Sequence, residues 1–259
     1  MKIGFIGMGN MATALLHGFL ASGKIKAESI CAFDPNLEKL ENIKKELEIS
    51  ILKSERSVAE ASDLILIACK PYHVEGALAA MGEALRGKAV LSIALGWDHA
   101  AYRAVLPEDV RVQFVMPNTP AMVGEGMFLF EQTSSLSAEE LTFARDLFAA
   151  IGEVETLPSR LMGIGGALSG CGPAFVDLMI EAFGDAGVYY GLSREQAYKL
   201  VSQTLKGSAK LQLETGMHPG VLKDMVCSPA GSTIRGVAAL EHSGLRSACL
   251  SAIEAIMEK

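Results

Sequence analysis

Hydrophobic positions follow two regimes along this chain. Up to about residue 157, short apolar runs alternate with stretches whose apolar residues recur every three or four positions. The runs read as strands at Lys2–Ile6, Ser29–Phe33, Leu64–Ala68, Ala89–Ile93 and Arg111–Met116. Leu64–Ile67 and Val90–Ile93 are apolar without alternation, as in parallel strands covered on both faces. Helical spacing marks Met11–Ser22, Leu37–Leu47, Val74–Leu85 and His99–Leu106. Met127–Phe130 and Val154–Leu157 add late strands. The helix between them starts at Ser137, where Glu140 completes a capping box. Strand-helix alternation predicts an α/β domain with a parallel sheet and right-handed crossovers over residues 1–157.

Beyond that point strand patterns vanish. Pro173–Tyr190, Arg194–Glu214, Pro219–Val226, Ile234–His242 and Leu245–Lys259 read as helices, broken at Gly191, Gly216–Pro219, Ser228–Gly231 and Ser243-Gly244. Residues 158–259 are therefore expected to form an all-α domain. Val176, Leu178, Met179 and Ile180 leave little polar face on their turn, so burial against a second copy, as a homodimer, is expected.

Composition narrows the function classes. Of the 259 residues, half are hydrophobic and 20% charged, enough for a sizeable core. A net charge of -7 without a basic run gives no footprint for nucleic acid. Five cysteines (Cys31, Cys69, Cys171, Cys227 and Cys249) stand isolated, so neither a disulfide framework nor a zinc site is indicated. The five histidines are scattered and no metal is expected; His218, before Pro219, reads as a cap rather than a base. No apolar run stands out as a membrane span, and the first strand begins at once, so a soluble cytoplasmic protein is the expectation.

The richest chemistry lies in Gly7-Met-Gly-Asn-Met-Ala12, between the first strand and the first helix. Gly7 permits a tight turn, Gly9 lets backbone approach a phosphate, and Ala12 lets the helix pack on the strand. With Asn10 and Met11 these residues would hold a dinucleotide's pyrophosphate on a helix N-terminus. Asp34 ends the second strand about twenty residues further on, where an acid accepts from a ribose 2′-OH and repels a 2′-phosphate. Taken alone it favours NAD over NADP; the plainer account makes Asp34-Pro-Asn36 a turn and helix cap. Ala68-Cys69-Lys70-Pro71 ends another strand, either as a cofactor-facing loop or as a solvated lysine before a helix-starting proline. Asn118 and Thr119 lie between two prolines, in a loop that either orients a ligand or is merely stiff. Ser228-Pro-Ala-Gly-Ser-Thr233 runs into a helix and offers hydroxyls and free amides to a small carboxylate, or else is a plain capped helix.

Together these stretches resemble the pyrroline-5-carboxylate reductase family over essentially the whole chain. The resemblance is carried by Gly4-Phe-Ile-Gly-Met-Gly-Asn-Met-Ala12, Ala68-Cys-Lys-Pro71, Met116-Pro-Asn-Thr-Pro120, Leu168-Ser-Gly-Cys-Gly-Pro-Ala174, and His218 through Glu241. It implies a Rossmann domain, then a helical domain that interlocks with a second subunit, in dimers that often assemble into a decamer. The implied reaction is reduction of L-1-pyrroline-5-carboxylate to L-proline by NADPH or NADH. The implied cofactor residues are Gly7, Gly9, Asn10, Met11, Ala12, Asp34, Ala68, Cys69, Lys70, Pro71 and Asn118. The substrate carboxylate would lie on Ser228, Ala230, Gly231, Ser232 and Thr233, with the Thr233 hydroxyl on the ring nitrogen as the catalytic group.

The chain departs from the family pattern in places. Ala230 stands where glycine is usual, Phe175 replaces a common tyrosine, Leu95 replaces a small residue, and Asp34 falls where many members have a small polar residue. One rival is a β-hydroxyacid dehydrogenase, but such enzymes pair Lys with Asn one helical turn apart, and Lys206 and Lys210 have no such Asn. The other rival is a non-catalytic protein that binds a dinucleotide and reports redox state.

Overall fold

A computed structural model describes residues 1–258. It divides into two compact units, Met1–Cys171 and Gly172 onward. The first holds an eight-stranded sheet in the order β3-β2-β1-β4-β5-β6-β7-β8. The strands are β1 Ile3–Ile6, β2 Ile30–Phe33, β3 Ser50–Ile51, β4 Leu64–Ile67, β5 Ala89–Ser92, β6 Arg111–Met116, β7 Gly126–Glu131 and β8 Gly152–Leu157. Strands β1 to β6 are parallel, and the order reverses between β1 and β4, paired Ile6 to Ile67. Ligands bind such sheets at that switch, beyond the carboxyl ends of the strands.

The sheet's two faces bury separate cores. On one, Phe5, Leu15, Leu16 and Phe19 meet Phe128, Phe130 and Phe148. On the other, Ile65, Ile67, Val90 and Val112 pack on Val58, Val74, Met81 and Tyr102. The helices between strands are α1 Asn10–Ala21, α2 Leu37–Leu47, α3 Glu55–Ala61, α4 Val74–Met81, α5 His99–Val105 and α6 Ala138–Ala149. Helix α6 has the anticipated capping box between Ser137 and Glu140.

Three features depart from the pattern read in the sequence. Strand β7 runs antiparallel to β6, because the connection through Thr119–Val123 is too short for a crossover. Strand β3 and helix α3 were not anticipated; two and seven residues are too short to carry a periodicity. The strand-bearing unit also continues past residue 157, because α7 (Met162–Ser169) packs Gly165 on Leu129 and Leu157 and Gly166 on Met116.

The second unit is all helix: α8 Gly172–Tyr189, α9 Arg194–Thr215, α10 Pro219–Met225, α11 Ser232–His242 and α12 Leu245–Met257. Helices α8 and α9 cross closely where Gly184 faces the Tyr198 ring and Gly187 faces Ala197. Only Gly184 and Ala197 are buried among the described residues of this unit. Val176, Leu178 and Phe183 on α8, and Leu200, Leu211 and Leu213 on α9, stand exposed. Contrary to the reading of the sequence, Ser159–Tyr189 is long and apolar enough to cross a membrane by length and composition. It is not one helix packed as a unit, however, since α7 and α8 belong to different compact units.

Candidate active site

At the end of β1 the two glycines are used differently. Gly7 has a φ of +88°, and its amide donates to the Phe33 carbonyl at 2.8 Å. A Cβ there would come within 2.8 Å of the Cys69 nitrogen and Cα, so the loops after β1 and β4 meet through this glycine. Gly9 has φ -65° and ψ 178°, and nothing lies within 4 Å of where its Cβ would stand. It is the N-cap of α1 and offers no side chain to the helix, whose first turn holds no acid. The amides of Asn10, Met11 and Ala12 thus find no acceptor among the described residues. Uncapped donors at the positive end of a twelve-residue helix, with open space before them, fit a pyrophosphate.

Around this mouth the parallel strands bring the other candidate cofactor residues to the same sheet edge. Asp34 follows β2 and accepts from the Met8 amide at 2.7 Å and the Asn36 amide at 2.9 Å. Asn36, not Asp34, caps α2, accepting from the Lys39 amide at 3.0 Å. Ala68 and Cys69 follow β4, half-buried, and burial pushes the Cys69 thiol above its usual range, so it lines the loop as a neutral group. Lys70 is exposed on the rim and Pro71 begins a short 3-10 turn. Asn118 follows β6. Its carbonyl accepts from the Met127 amide at 2.8 Å and its amide donates to the Ser169 carbonyl at 3.0 Å. At 8% exposure, that side chain ties β6, β7 and α7 together, leaving a single N–H to spare.

The helical unit carries a second open mouth. The Gly231 amide donates to the Ser228 carbonyl at 3.0 Å, closing a turn before α11. A Cβ on Gly231 would lie 2.4 Å from the Ser228 hydroxyl oxygen, so a side chain there would displace that hydroxyl from the turn. Gly231 is the N-cap, and no side chain caps α11. Ser232 and Thr233 are exposed on the first turn, which has no acid. Ala230 takes φ +60°, the left-handed conformation of a glycine, so the turn keeps its shape despite the added methyl. His218 accepts from the Gly220 amide through Nδ1 and caps α10.

The chain that carries these two helix starts matches known proteins over its full length. Residues 159–259 match the family described as pyrroline-5-carboxylate reductase dimerisation, and residues 2–96 match NADP oxidoreductase, coenzyme F420-dependent. Pyrroline-5-carboxylate reductase of Treponema pallidum is 38% identical over 99% of both chains. That of Escherichia coli is 39% identical over 100% of this chain and 96% of its own. The chain belongs to the pyrroline-5-carboxylate reductase family. Among solved structures, the Plasmodium falciparum pyrroline carboxylate reductase with NADP bound superposes with a TM-score of 0.90 at 33% identity. It is covered over 96% of its length, and this chain over 100%. The Coxiella burnetii member gives 0.90 at 30% identity, over 99% of this chain and 96% of its own.

The structure adds two residues at this site that sequence reasoning passed over. Met8, fully buried, presents the amide that Asp34 holds. Trp97 donates from its indole nitrogen to the Pro71 carbonyl at 3.1 Å and so fixes the loop after β4. Being the sole tryptophan, just after the Gly96 turn, was the one available signal.

Proposed function

We propose that the chain performs its family's reaction with two uncapped helix mouths, that of α1 for the dinucleotide and that of α11 for the substrate carboxylate. The reaction is reduction of the C=N bond of L-1-pyrroline-5-carboxylate to L-proline, the final step of proline biosynthesis, with NAD(P)H as reductant. Held at the α1 mouth, a reduced nicotinamide would supply the hydride for the imine carbon, the ring nitrogen carrying the proton. Amides at Ser232 and Thr233, with the Ser228 hydroxyl, hold the carboxylate, since an anion is stabilised at a helix N-terminus by unpaired donors and the dipole. The Thr233 hydroxyl aligns the ring nitrogen. Positioning of this sort lowers the barrier without a strong general acid.

The observation that carries this reading is the placement of two uncapped, acid-free helix starts, that of α1 beyond β1 where the strand order reverses and that of α11 directly after the Ser228–Gly231 turn. Ser54, Asp98 and Ser137 cap other helices of this chain, whereas α12 also opens on an uncapped glycine, so placement in the fold and not the missing cap alone distinguishes α1 and α11. Association with a second copy follows from the helical unit, which leaves most of its leucines and Phe183 exposed. We assign that surface, including the apolar face of α8, to a homodimer interface and not to lipid.

The test is loss of reduced-nicotinamide absorbance when L-1-pyrroline-5-carboxylate is added to the full chain. Turnover with proline as product supports the assignment. Binding of the dinucleotide without turnover would convert the protein into a redox reporter.

A further inference from the structure

We propose that Asp34 makes this enzyme discriminate for NADH over NADPH, because its carboxylate faces the adenosine ribose as an unneutralised acceptor. The inference rests on the dinucleotide lying at the α1 mouth. Asp34 sits at the carboxyl end of β2, the strand beside β1, and is half-buried. One oxygen accepts from Met8 in the glycine loop, the other from Asn36 in the β2–α2 loop. The side chain is therefore fixed between the two loops that flank an adenosine ribose in a sheet of this type.

Both bonds come from neutral amides, so the negative charge remains. Two carboxylate oxygens offer about four acceptor positions, and these bonds use one on each, leaving about two for ribose hydroxyls. No cation pairs with Asp34 among the described residues. The loop from Asp34 to Lys39 carries two acids and one lysine and contains no arginine. A 2′-phosphate arriving there meets repulsion without a bidentate partner. A 2′-hydroxyl meets a free acceptor.

The test is a titration of the full chain with NADH and with NADPH, without substrate, followed by quenching of Trp97. The parent is expected to bind NADH about tenfold or more tightly than NADPH at low salt, and the gap should narrow at high salt as screening shortens. Asp34→Asn keeps an oxygen for one backbone amide and removes the charge; it should bring the two affinities close to parity. Equal or tighter NADPH binding by the parent overturns the proposal, as does an unchanged ratio in Asp34→Asn. Should that variant fail to fold, the salt dependence of the parent's ratio decides, a salt-independent ratio being the contrary result. No binding of either nucleotide would remove the α1 site and this inference with it. A retained NADH preference without turnover of L-1-pyrroline-5-carboxylate would leave the inference standing and remove only the assigned reaction.

Discussion

Gly7 and Gly9 belong to one sequence motif, yet alanine should harm the protein in different ways at the two positions. At Gly7 the backbone has φ +88°, and an alanine Cβ would lie 2.8 Å from backbone atoms of Cys69. The left-handed strain is about 1–2 kcal/mol. Relief of the clash requires the ends of β1 and β4 to part, an overpacking penalty of about 1–3 kcal/mol. The total, about 2–5 kcal/mol, is a large part of the stability of a folded domain. It corresponds to a fall in Tm of about 5–15 °C for a unit of this size. At Gly9 the backbone is ordinary and the space is open, so Gly9→Ala should change stability by less than about 1 kcal/mol. Its methyl would instead stand where the pyrophosphate must approach the α1 amides. Weakening one or two charge-assisted bonds costs about 3 kcal/mol, or roughly a hundredfold in Kd. Thermal melts of the nucleotide-free protein and calorimetric titration with NADH separate the two effects. If Gly9→Ala melts normally and still binds NADH like the parent, the pyrophosphate does not sit on this helix.

Other expectations follow from the second mouth and from the scaffold. Thr233→Ala should lower kcat by about ten- to a hundredfold, from loss of a bond to a charged group, with cofactor Kd unmoved; an unaltered rate would exclude the hydroxyl. Ala230→Gly should stabilise by up to about 1 kcal/mol by removing left-handed strain, and leave KM for the imine unchanged. Ala230→Val should raise KM and lower Tm, since a β-branched residue tolerates that conformation poorly. Parallel Tm and steady-state measurements check both. Arg111 holds the Glu140 carboxyl below its ordinary value of 4.5, chiefly by hydrogen bonding. A depressed folded-state pKa stabilises above the unfolded value and loses that contribution as pH falls through the folded one. Glu140→Gln should therefore cost about 1–2 kcal/mol near neutrality, and denaturant melts of parent and variant should converge below pH 4.5.

Sequence determined what depends on neighbours along the chain. The strands β1, β4 and β5 were legible because both their faces are buried, which leaves runs without polar alternation, Ser92 at the end of β5 being the one polar residue in them. The start of α6 was legible because its capping box is a local pair of residues. The glycine loop and the turn before α11 were legible because the backbone there needs small residues within a few positions of each other. Tertiary structure decided what depends on partners distant in sequence. Whether Asp34 was a helix cap or a free acceptor could not be read locally, because its decisive contact is the Met8 amide across the sheet. Asn118 likewise gained a role as a brace only through Met127 and Ser169. The direction of β7 came from the length of a turn, and the left-handed Ala230 came from a loop closing on itself, which side-chain identity alone would have argued against. Local propensity chooses the elements, whereas long-range hydrogen bonds and packing choose which atoms of those elements are left free to meet a ligand.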